Sequence, residues 1–169
     1  TAEITPDLIR ICPIGIDAGA LMASRELSEL YPAARAKAMQ WQGMCKKAGV
    51  DVLIYCTYRS GGEQNTLYAI GRTVKGENVT AKRPMGNIVT NARANQSYHQ
   101  FRCAWDAVPV LHGKPMWGDT ASYEIMGKVA EMLGIEWAGR WTGSLKETAH
   151  FQFTGGLTLA DFNAGKVLT

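Results

Sequence analysis

The sequence predicts a single domain that mixes helices and strands around a long loop. Apolar residues recur at helical spacing over residues 33 to 48 and 119 to 133, whereas residues 52 to 58 and 104 to 111 have the composition of strands. Between these segments, residues 71 to 95 show no sustained period. The length of 169 residues suits one domain that buries a core without disulfides or a structural metal.

The first helix with clear ends is predicted over residues 33 to 48. Pro32 suits its first turn, and Gly49 suits the position just past its end. An Ala-rich stretch before it predicts another helix over about residues 17 to 30. The residues at helical spacing in the first of these are Ala34, Ala38, Trp41, Cys45 and Ala48.

The strand predicted over residues 52 to 58 leads directly into a second helix. Ser60 and Glu63 have the spacing of a capping box, in which each side chain accepts a hydrogen bond from the backbone N–H of the other residue. The helix is therefore expected to begin there and to continue to about Ile70. Arg59 lies at the junction between the strand and the helix.

The loop over residues 71 to 95 is rich in basic residues. Connections of this length inside a compact domain are usually functional. Its charges suit either a grip for an acidic ligand or an ordinary solvated surface, and the sequence leaves both open. The residues are Arg72, Lys75, Lys82, Arg83 and Arg93.

The second half of the chain predicts two strands and two helices. A strand covers residues 104 to 111, and a helix covers 119 to 133 and ends at Gly134. The alternation in residues 150 to 153 directs Phe151 and Phe153 to the core and His150 and Gln152 to a cleft. A short helix over about residues 159 to 164 ends at Gly165.

Composition excludes several classes of function. A net charge of +3 without a dense Lys/Arg stripe argues against nucleic-acid binding. No apolar run approaches the about 18 residues that cross a membrane, so we expect no membrane insertion. Thr1 is not followed by a signal-peptide pattern, which predicts synthesis in the cytoplasm. Scattered cysteines predict buried free thiols, at Cys12, Cys45, Cys56 and Cys103.

Two of the three histidines lie near an acid in the sequence. His99 precedes Asp106 by seven residues, and Glu147 precedes His150 by three. Two imidazole nitrogens and one carboxylate oxygen are a common catalytic zinc set. The fourth residue, Glu147, would then serve as general base, and Arg59 would stabilise an oxyanion.

Spacing alone leaves other interpretations open. His99 could be a core histidine, and Asp106 could be a capping acid. Glu147 could be a solvated surface charge, and Arg59 could be one half of a surface ion pair.

Several separated motifs resemble one family. Ser97-x-His99, Ala104-x-Asp106 and Glu147-x-x-His150-Phe151-Gln152 are similar to signatures of the zinc peptidases that cut peptidoglycan peptides. These are the D-alanyl-D-alanine carboxypeptidases and dipeptidases, grouped with lysostaphin-type enzymes and the hedgehog domain. Within the group, the chain is most similar to phage endolysins with L-alanyl-D-glutamate endopeptidase activity. Further matching segments are Thr57-Tyr58-Arg59-Ser60, Glu63-Gln64, Leu67-Tyr68-Ala69, Gly71-Arg72-Thr73 and Gly156-Leu157-Thr158-Leu159-Ala160-Asp161 with Ala164-Gly165.

The resemblance implies an α+β fold in which a small antiparallel sheet, flanked by helices, carries a zinc site on its open face. It implies Zn²⁺ bound by His99, Asp106 and His150, with Glu147 as catalytic base and Arg59 stabilising the transition state. Ser97 is expected to contact the substrate or orient the ligand loop. Trp117 and Trp141 are candidates for the cleft, and the alternative is that both belong only to the core.

The resemblance covers about residues 24 to 166 and leaves residues 1 to 23 as an extension or helix. It predicts one catalytic domain over residues 1 to 169, with no separate wall-binding domain. The expected partner is the peptidoglycan stem peptide, and we expect a monomer. An endolysin would be made in the host cytoplasm and reach the cell wall after release.

Other functions stay open within and beyond this family. A D-Ala-D-Ala carboxypeptidase or dipeptidase would use the same zinc chemistry. A zinc-containing binding module without turnover and a metal-free wall-binding domain are the alternatives from another class.

Two departures from the family pattern affect these expectations. Arg102 stands where the family usually has Gly. A turn with positive φ would be strained there unless Arg102 adopts another conformation or reaches into the cleft as a substrate contact. Glu147 replaces a frequent Asp, and Ala149 replaces a frequent Pro. These two changes concern bond specificity more than hydrolysis.

Overall fold

The computed structural model describes residues 23 to 169, which form four helices and a five-stranded antiparallel sheet. The helices are α1 (Pro32–Lys47), α2 (Gly61–Ala69), α3 (Thr120–Met132) and α4 (Leu159–Asn163). The strands are β1 (Asp51–Cys56), β2 (Ala104–Leu111), β3 (Lys114–Pro115), β4 (Glu136–Trp137) and β5 (His150–Gln152). The order is β1-β2-β5-β4, with β3 paired to β2. The α+β class is therefore confirmed.

The core lies between α1, α3 and one face of the sheet. Trp41 of α1 packs against Trp105 and Phe151, with ring centroids 5.9 and 4.6 Å apart. Its indole Nε1 donates to the carbonyl of Met126 in α3 at 2.9 Å, which satisfies the one polar atom of a fully buried side chain. The opposite face of the strands carries the polar residues.

Strand alternation separates these two faces. In β2, Trp105 enters the core and Asp106 points the other way; in β5, Phe151 enters the core while His150 and Gln152 share the face of Asp106. Phe153 lies just past the strand, half-buried under Lys37, whose Nζ is 5.2 Å from the ring centroid.

A β-bulge adjusts the end of β1 beside this polar face. Ile54 pairs with Ala107, but Cys56 pairs with Asp106, so Tyr55 is the extra residue. Without the bulge, Ile54 and Cys56 would share the core face; with it, Cys56 lies on the side of Asp106.

The predicted helix over residues 17 to 30 is wrong where the structure describes it. Residues 17 to 22 lie outside the described residues, and from residue 23 the chain is irregular apart from a 3-10 turn, Leu27–Glu29. The backbone of Ser24 instead bonds to Thr57 and Tyr58, at 2.7 and 2.9 Å. At Ser24 these tertiary hydrogen bonds replace the helical ones that the sequence predicted.

Three of the predicted buried free thiols are confirmed, at Cys45, Cys56 and Cys103, and Cys12 lies outside the described residues. Across residues 23 to 169 we find no helix that is both long and apolar enough to span a membrane.

Candidate metal centre and cleft

Three elements bring two histidines onto Asp106. Asp106 lies in β2 directly opposite His150 of β5, and His99 comes from a 3-10 turn, Tyr98–Phe101, just before β2. Nε2 of His99 lies 3.1 Å from Oδ1 of Asp106, and Nδ1 of His150 lies 3.2 Å from the same oxygen. All three residues are at most 6% exposed.

Backbone and amide oxygens define which ring nitrogen carries the proton. Nδ1 of His99 is 2.7 Å from the carbonyl oxygen of Thr57, which can only accept, so Nδ1 is the donor and Nε2 keeps its lone pair. Nε2 of His150 is 2.9 Å from Oε1 of Gln152, so Nδ1 keeps its lone pair.

As a result, two lone pairs and an ionised carboxylate oxygen face one another. Acceptors at 3.1 and 3.2 Å repel unless a cation lies among them, either a proton or a metal. Nitrogen and oxygen ligands at zinc-bond length are about 3.3 Å apart in a tetrahedral site, close to both separations. Both nitrogen–oxygen separations therefore suit a pair of zinc ligands.

The pKa values of His99 and Asp106 also indicate that a cation, either a proton or a metal, is needed between them. Burial alone would raise the pKa of Asp106, but His99 and His150 hold it well below its usual range. Burial opposes the charged form of His99, but the attraction of Asp106 raises its pKa to about 10. A proton and a metal ion thus compete for one position.

Within the described residues, the group whose ligand atoms all lie close enough together for a metal shares His99 and Asp106 with this set but has Cys56 in place of His150. The candidate ligand atoms of Cys56, His99 and Asp106 all lie within 4.8 Å of one another. However, Sγ of Cys56 is 3.7 Å from Nδ1 of His99, the nitrogen already bonded to Thr57. A guanidinium nitrogen of Arg59 lies 3.3 Å from the sulfur. A positive charge at that distance disfavours a second cation.

Arg59 is fixed beside the candidate metal centre. Its guanidinium lies 3.4 Å from Oδ2 of Asp106 and donates to Oε1 of Gln64 at 3.0 Å. Burial lowers the pKa of Arg59, but Cys56 and Asp106 raise it above its usual value. Arg59 therefore stays charged.

The centre opens into a cleft of about 720 Å³. Arg59, Ser97, Trp141 and Glu147 line it together with the three candidate ligands. Glu147 is exposed and precedes β5, so its carboxylate meets solvent in the cleft. Ser97 also accepts from the backbone N–H of His99 at 3.4 Å and begins the turn that carries this histidine.

Two predicted substrate contacts do not line this cleft. Arg102 has a φ of 56° and keeps the left-handed backbone of the family glycine. Its guanidinium stacks on Tyr58 at 4.0 Å and pairs with Glu29, which draws it away from the cleft. Trp117 packs edge-on against Tyr55, with centroids 5.3 Å apart, and its ring lies behind the lining.

The basic residues of the long loop also lie elsewhere. Arg72 donates to the carbonyls of Tyr68 and Thr90, at 2.6 and 2.9 Å, and so fixes the shape of the loop. The loop contributes residues 87 to 92 to the cleft wall. Within the described part of the chain, the basic residues on that wall, apart from the histidines, are Arg59 and Lys146.

Four polar residues of the site received no role in the sequence interpretation, although Gln152 was predicted to face the cleft. Thr57 and Gln152 bond the candidate ligands, and Gln64 holds Arg59. Tyr55 lines the cleft. Burial, and to a smaller extent the charge of Asp106, raises the pKa of its phenol well above the usual value, so the group stays protonated. Only Gln152 gave a signal, because strand alternation placed it on the face of His150.

Fold and site have the features of a metallopeptidase, with the candidate metal centre on the polar face of a small antiparallel sheet. A D-alanyl-D-alanine carboxypeptidase family profile matches residues 90 to 153. The peptidoglycan L-alanyl-D-glutamate endopeptidase CwlK of Bacillus subtilis strain 168 is 34% identical over 124 residues, which cover 68% of each chain. The chain belongs to this peptidase family, and its cofactor is Zn²⁺.

Solved structures show the same fold. The L-Ala D-Glu endopeptidase ChiX of Serratia marcescens superposes with a TM-score of 0.52 at 19% identity, over 80% of this chain and 86% of that one. The D,D-pentapeptidase VanY of a VanB-type resistance cassette, determined with Zn(II), gives 0.57 at 14% identity, over 79% and 83%.

Proposed function

We propose that the chain is a zinc-dependent peptidoglycan endopeptidase that hydrolyses the amide bond between L-Ala and D-Glu of the stem peptide. The observation that carries the proposal is the convergence of His99 and His150 on Asp106, with Glu147 and Arg59 on the same cleft. His99, Asp106 and His150 would hold the ion. When bound, Zn²⁺ polarises the scissile carbonyl and acidifies water.

The side chains around this centre divide the remaining chemistry. Glu147 takes a proton from the attacking water, whose oxygen adds to the L-Ala carbonyl carbon. Arg59 donates to the oxyanion that forms. When the carbon–nitrogen bond breaks, Glu147 returns the proton to the D-Glu nitrogen, which leaves as an amine. The other product is the L-Ala carboxylate.

Glu147 is suited to this exchange by its position. It is exposed, so water reaches it, and it lies three residues before His150, where β5 begins. Arg59 is suited by its rigidity, because Gln64 and Asp106 hold its guanidinium before substrate arrives.

Three features support a stem-peptide substrate cut at L-Ala–D-Glu. CwlK and ChiX are both described as endopeptidases for this bond, and CwlK is the relative with 34% identity. Lys146 lies exposed in the cleft next to Glu147, where it can pair with a carboxylate of an acidic stem peptide. Trp141, also in the cleft, offers a flat wall 5.8 Å from the His150 ring.

One competing specificity has its own support. The family profile that matches residues 90 to 153 is described as D-alanyl-D-alanine carboxypeptidase. Removal of the terminal D-Ala would need the same metal centre, Glu147 and Arg59. The difference lies in the bond that the cleft presents to them.

Analysis of the products separates the two specificities. Purified peptidoglycan is digested with the zinc-loaded protein and with Glu147→Gln, and new amino termini are identified by mass spectrometry. New D-Glu amino termini from the native protein alone support the proposal. Free D-Ala without them shows the carboxypeptidase specificity, and digestion by both proteins removes Glu147 from the mechanism.

We also propose that the chain is a phage endolysin that acts as a monomer on the cell wall after release from the host cytoplasm. The motif resemblance supports this role. Addition of the protein to permeabilised Gram-negative cells should lower their turbidity within minutes, whereas Glu147→Gln should leave it unchanged.

A further inference from the structure

A chain of hydrogen bonds extends from His150 to an edge strand. Nε2 of His150 donates to Oε1 of Gln152 at 2.9 Å, and Nε2 of Gln152 donates to Oε2 of Glu136 at 2.9 Å. The other carboxylate oxygen, Oε1, accepts from the indole Nε1 of Trp141 at 2.8 Å. Both oxygens of Glu136 are thus held by donors.

Strand pairing places these residues side by side. Glu136 of β4 lies directly opposite Gln152 of β5, so their side chains share one face of the sheet. Gln152 is 2% exposed, whereas Glu136 is exposed at the sheet edge. The pairing thus joins a carboxylate at the exposed edge of the sheet to a buried amide.

The chemistry of Glu136 decides the orientation of Gln152. An ionised carboxylate can only accept, so the Gln152 amide must turn its NH₂ group toward Glu136. Its carbonyl oxygen then faces His150 and requires a proton on Nε2. The lone pair of His150 is thereby assigned to Nδ1, the nitrogen that faces Asp106.

We propose that Glu136 is a positioning residue which, through Gln152, sets the tautomer of His150 and so prepares Nδ1 to bind the metal. This inference rests on the ligand set of the proposed function. Glu136 touches no ligand directly, and the interaction it makes with Trp141 fixes the cleft wall at the same time.

The test exchanges the carboxylate of Glu136 and the amide of Gln152. Glu136→Gln has nearly the same shape but can accept or donate, so the Gln152 amide is free to flip. In the double variant Glu136→Gln with Gln152→Glu, the new carboxylate at position 152 accepts from Nε2 of His150. It also accepts from the new amide at position 136, so both hydrogen bonds are restored. Glu131→Gln is the matched control, because it makes the same change from carboxylate to amide elsewhere, where Glu131 of α3 pairs with Arg140.

Two measurements follow the metal site without relying on catalysis. Zinc affinity is measured by competition with a chelator. Long-range ¹H–¹⁵N spectra of the zinc-loaded protein show which nitrogen of each histidine carries a proton and how fast that proton exchanges. The chain has only three histidines, so the His150 signals can be assigned by substitution.

We expect a slowly exchanging proton on Nε2 of His150 in the native protein. Glu136→Gln should speed this exchange and weaken zinc binding by about 10-fold to 100-fold. The double variant should recover both properties, and Glu131→Gln should change neither.

Native affinity and native exchange in Glu136→Gln would overturn the inference while leaving the ligand set intact. A double variant that fails to recover would overturn it as well. If the zinc-loaded native protein carries the His150 proton on Nδ1, that nitrogen does not bind the metal, and the inference is overturned.

Discussion

Nε2 of His99 and Oδ1 of Asp106 lie 3.1 Å apart in a pocket that is almost closed to solvent. Each group stabilises the charged form of the other, and burial penalises both. In the metal-free protein, a proton on His99 removes the repulsion between its Nε2 lone pair and Oδ1 of Asp106. In the loaded protein, zinc does so. As pH rises, the metal-free protein should therefore lose stability, whereas the stabilisation added by zinc should increase.

The first prediction concerns the metal-free protein. The pKa of His99 is raised from 6.5 to about 10, so its contribution to the free energy of unfolding is complete below pH 6.5 and is lost as pH rises toward 10. The pKa of Asp106 is lowered from 3.8, so its contribution persists above that pH. Denaturant titrations should show lower stability at pH 8.5 than at pH 6.5.

The stabilisation added by zinc should increase over the same range, because the metal binds the neutral imidazole. Thiol ionisation should not dominate the comparison of pH 6.5 with pH 8.5, because both lie below the usual thiol pKa of 9.0. Burial raises the pKa of Cys45 and Cys103 further. His99→Asn should flatten the slope of the metal-free protein. An unchanged slope in that variant would assign the effect to other groups.

Glu147→Gln should abolish most turnover and leave the metal in place. The amide cannot take the proton of the attacking water, and general base catalysis contributes about 10²–10⁴ in rate. Turnover on peptidoglycan and zinc content should be measured on one sample, with Glu131→Gln as the control. Loss of zinc together with turnover would instead make Glu147 a ligand.

Cys56→Ala distinguishes the two candidate ligand sets. If His99, Asp106 and His150 hold the ion, this variant keeps one zinc per chain, because Sγ contacts Arg59 and the bonded side of His99. His150→Ala should lose the metal. The reverse pattern, with zinc lost only from Cys56→Ala, would assign the site to the group that contains the cysteine.

Local periodicity predicted most helices and strands within a residue or two, because each depends on neighbouring residues. Helix α1 is an example, predicted over residues 33 to 48 and found at Pro32–Lys47. Strand β4 could not be predicted, since its two residues, Glu136 and Trp137, are too few to show alternation. Sheet order was equally inaccessible, because it joins residues far apart in the sequence.

The candidate ligands were recognisable because His and Asp are the residue types that zinc prefers. Their supporting residues were not, because Thr57 acts through a backbone carbonyl that every residue has. Glu136 contacts the site only through the pairing of β4 with β5. Such roles depend on tertiary neighbours.

Two helical glycines should respond oppositely to alanine. A Cβ at Gly127 in α3 would lie 2.1 Å from the buried ring of Trp137, so Gly127→Ala should destabilise the fold by about 1–3 kcal/mol. Gly43 in α1 has nothing within 4 Å of that position, and Gly43→Ala should stabilise by about 0.5–1 kcal/mol. Denaturant titrations measure both. Equal effects would show that Trp137 is free to move aside.

Arg102→Gly restores the family residue and tests where the guanidinium acts. The change relieves a left-handed backbone, worth about 1 kcal/mol, but removes the stacking on Tyr58 and the pairing with Glu29, worth about the same. Stability should therefore change little. Because Arg102 does not line the cleft, kcat/KM on peptidoglycan should stay within about twofold. A tenfold loss with native zinc content and stability would instead show that Arg102 reaches the substrate.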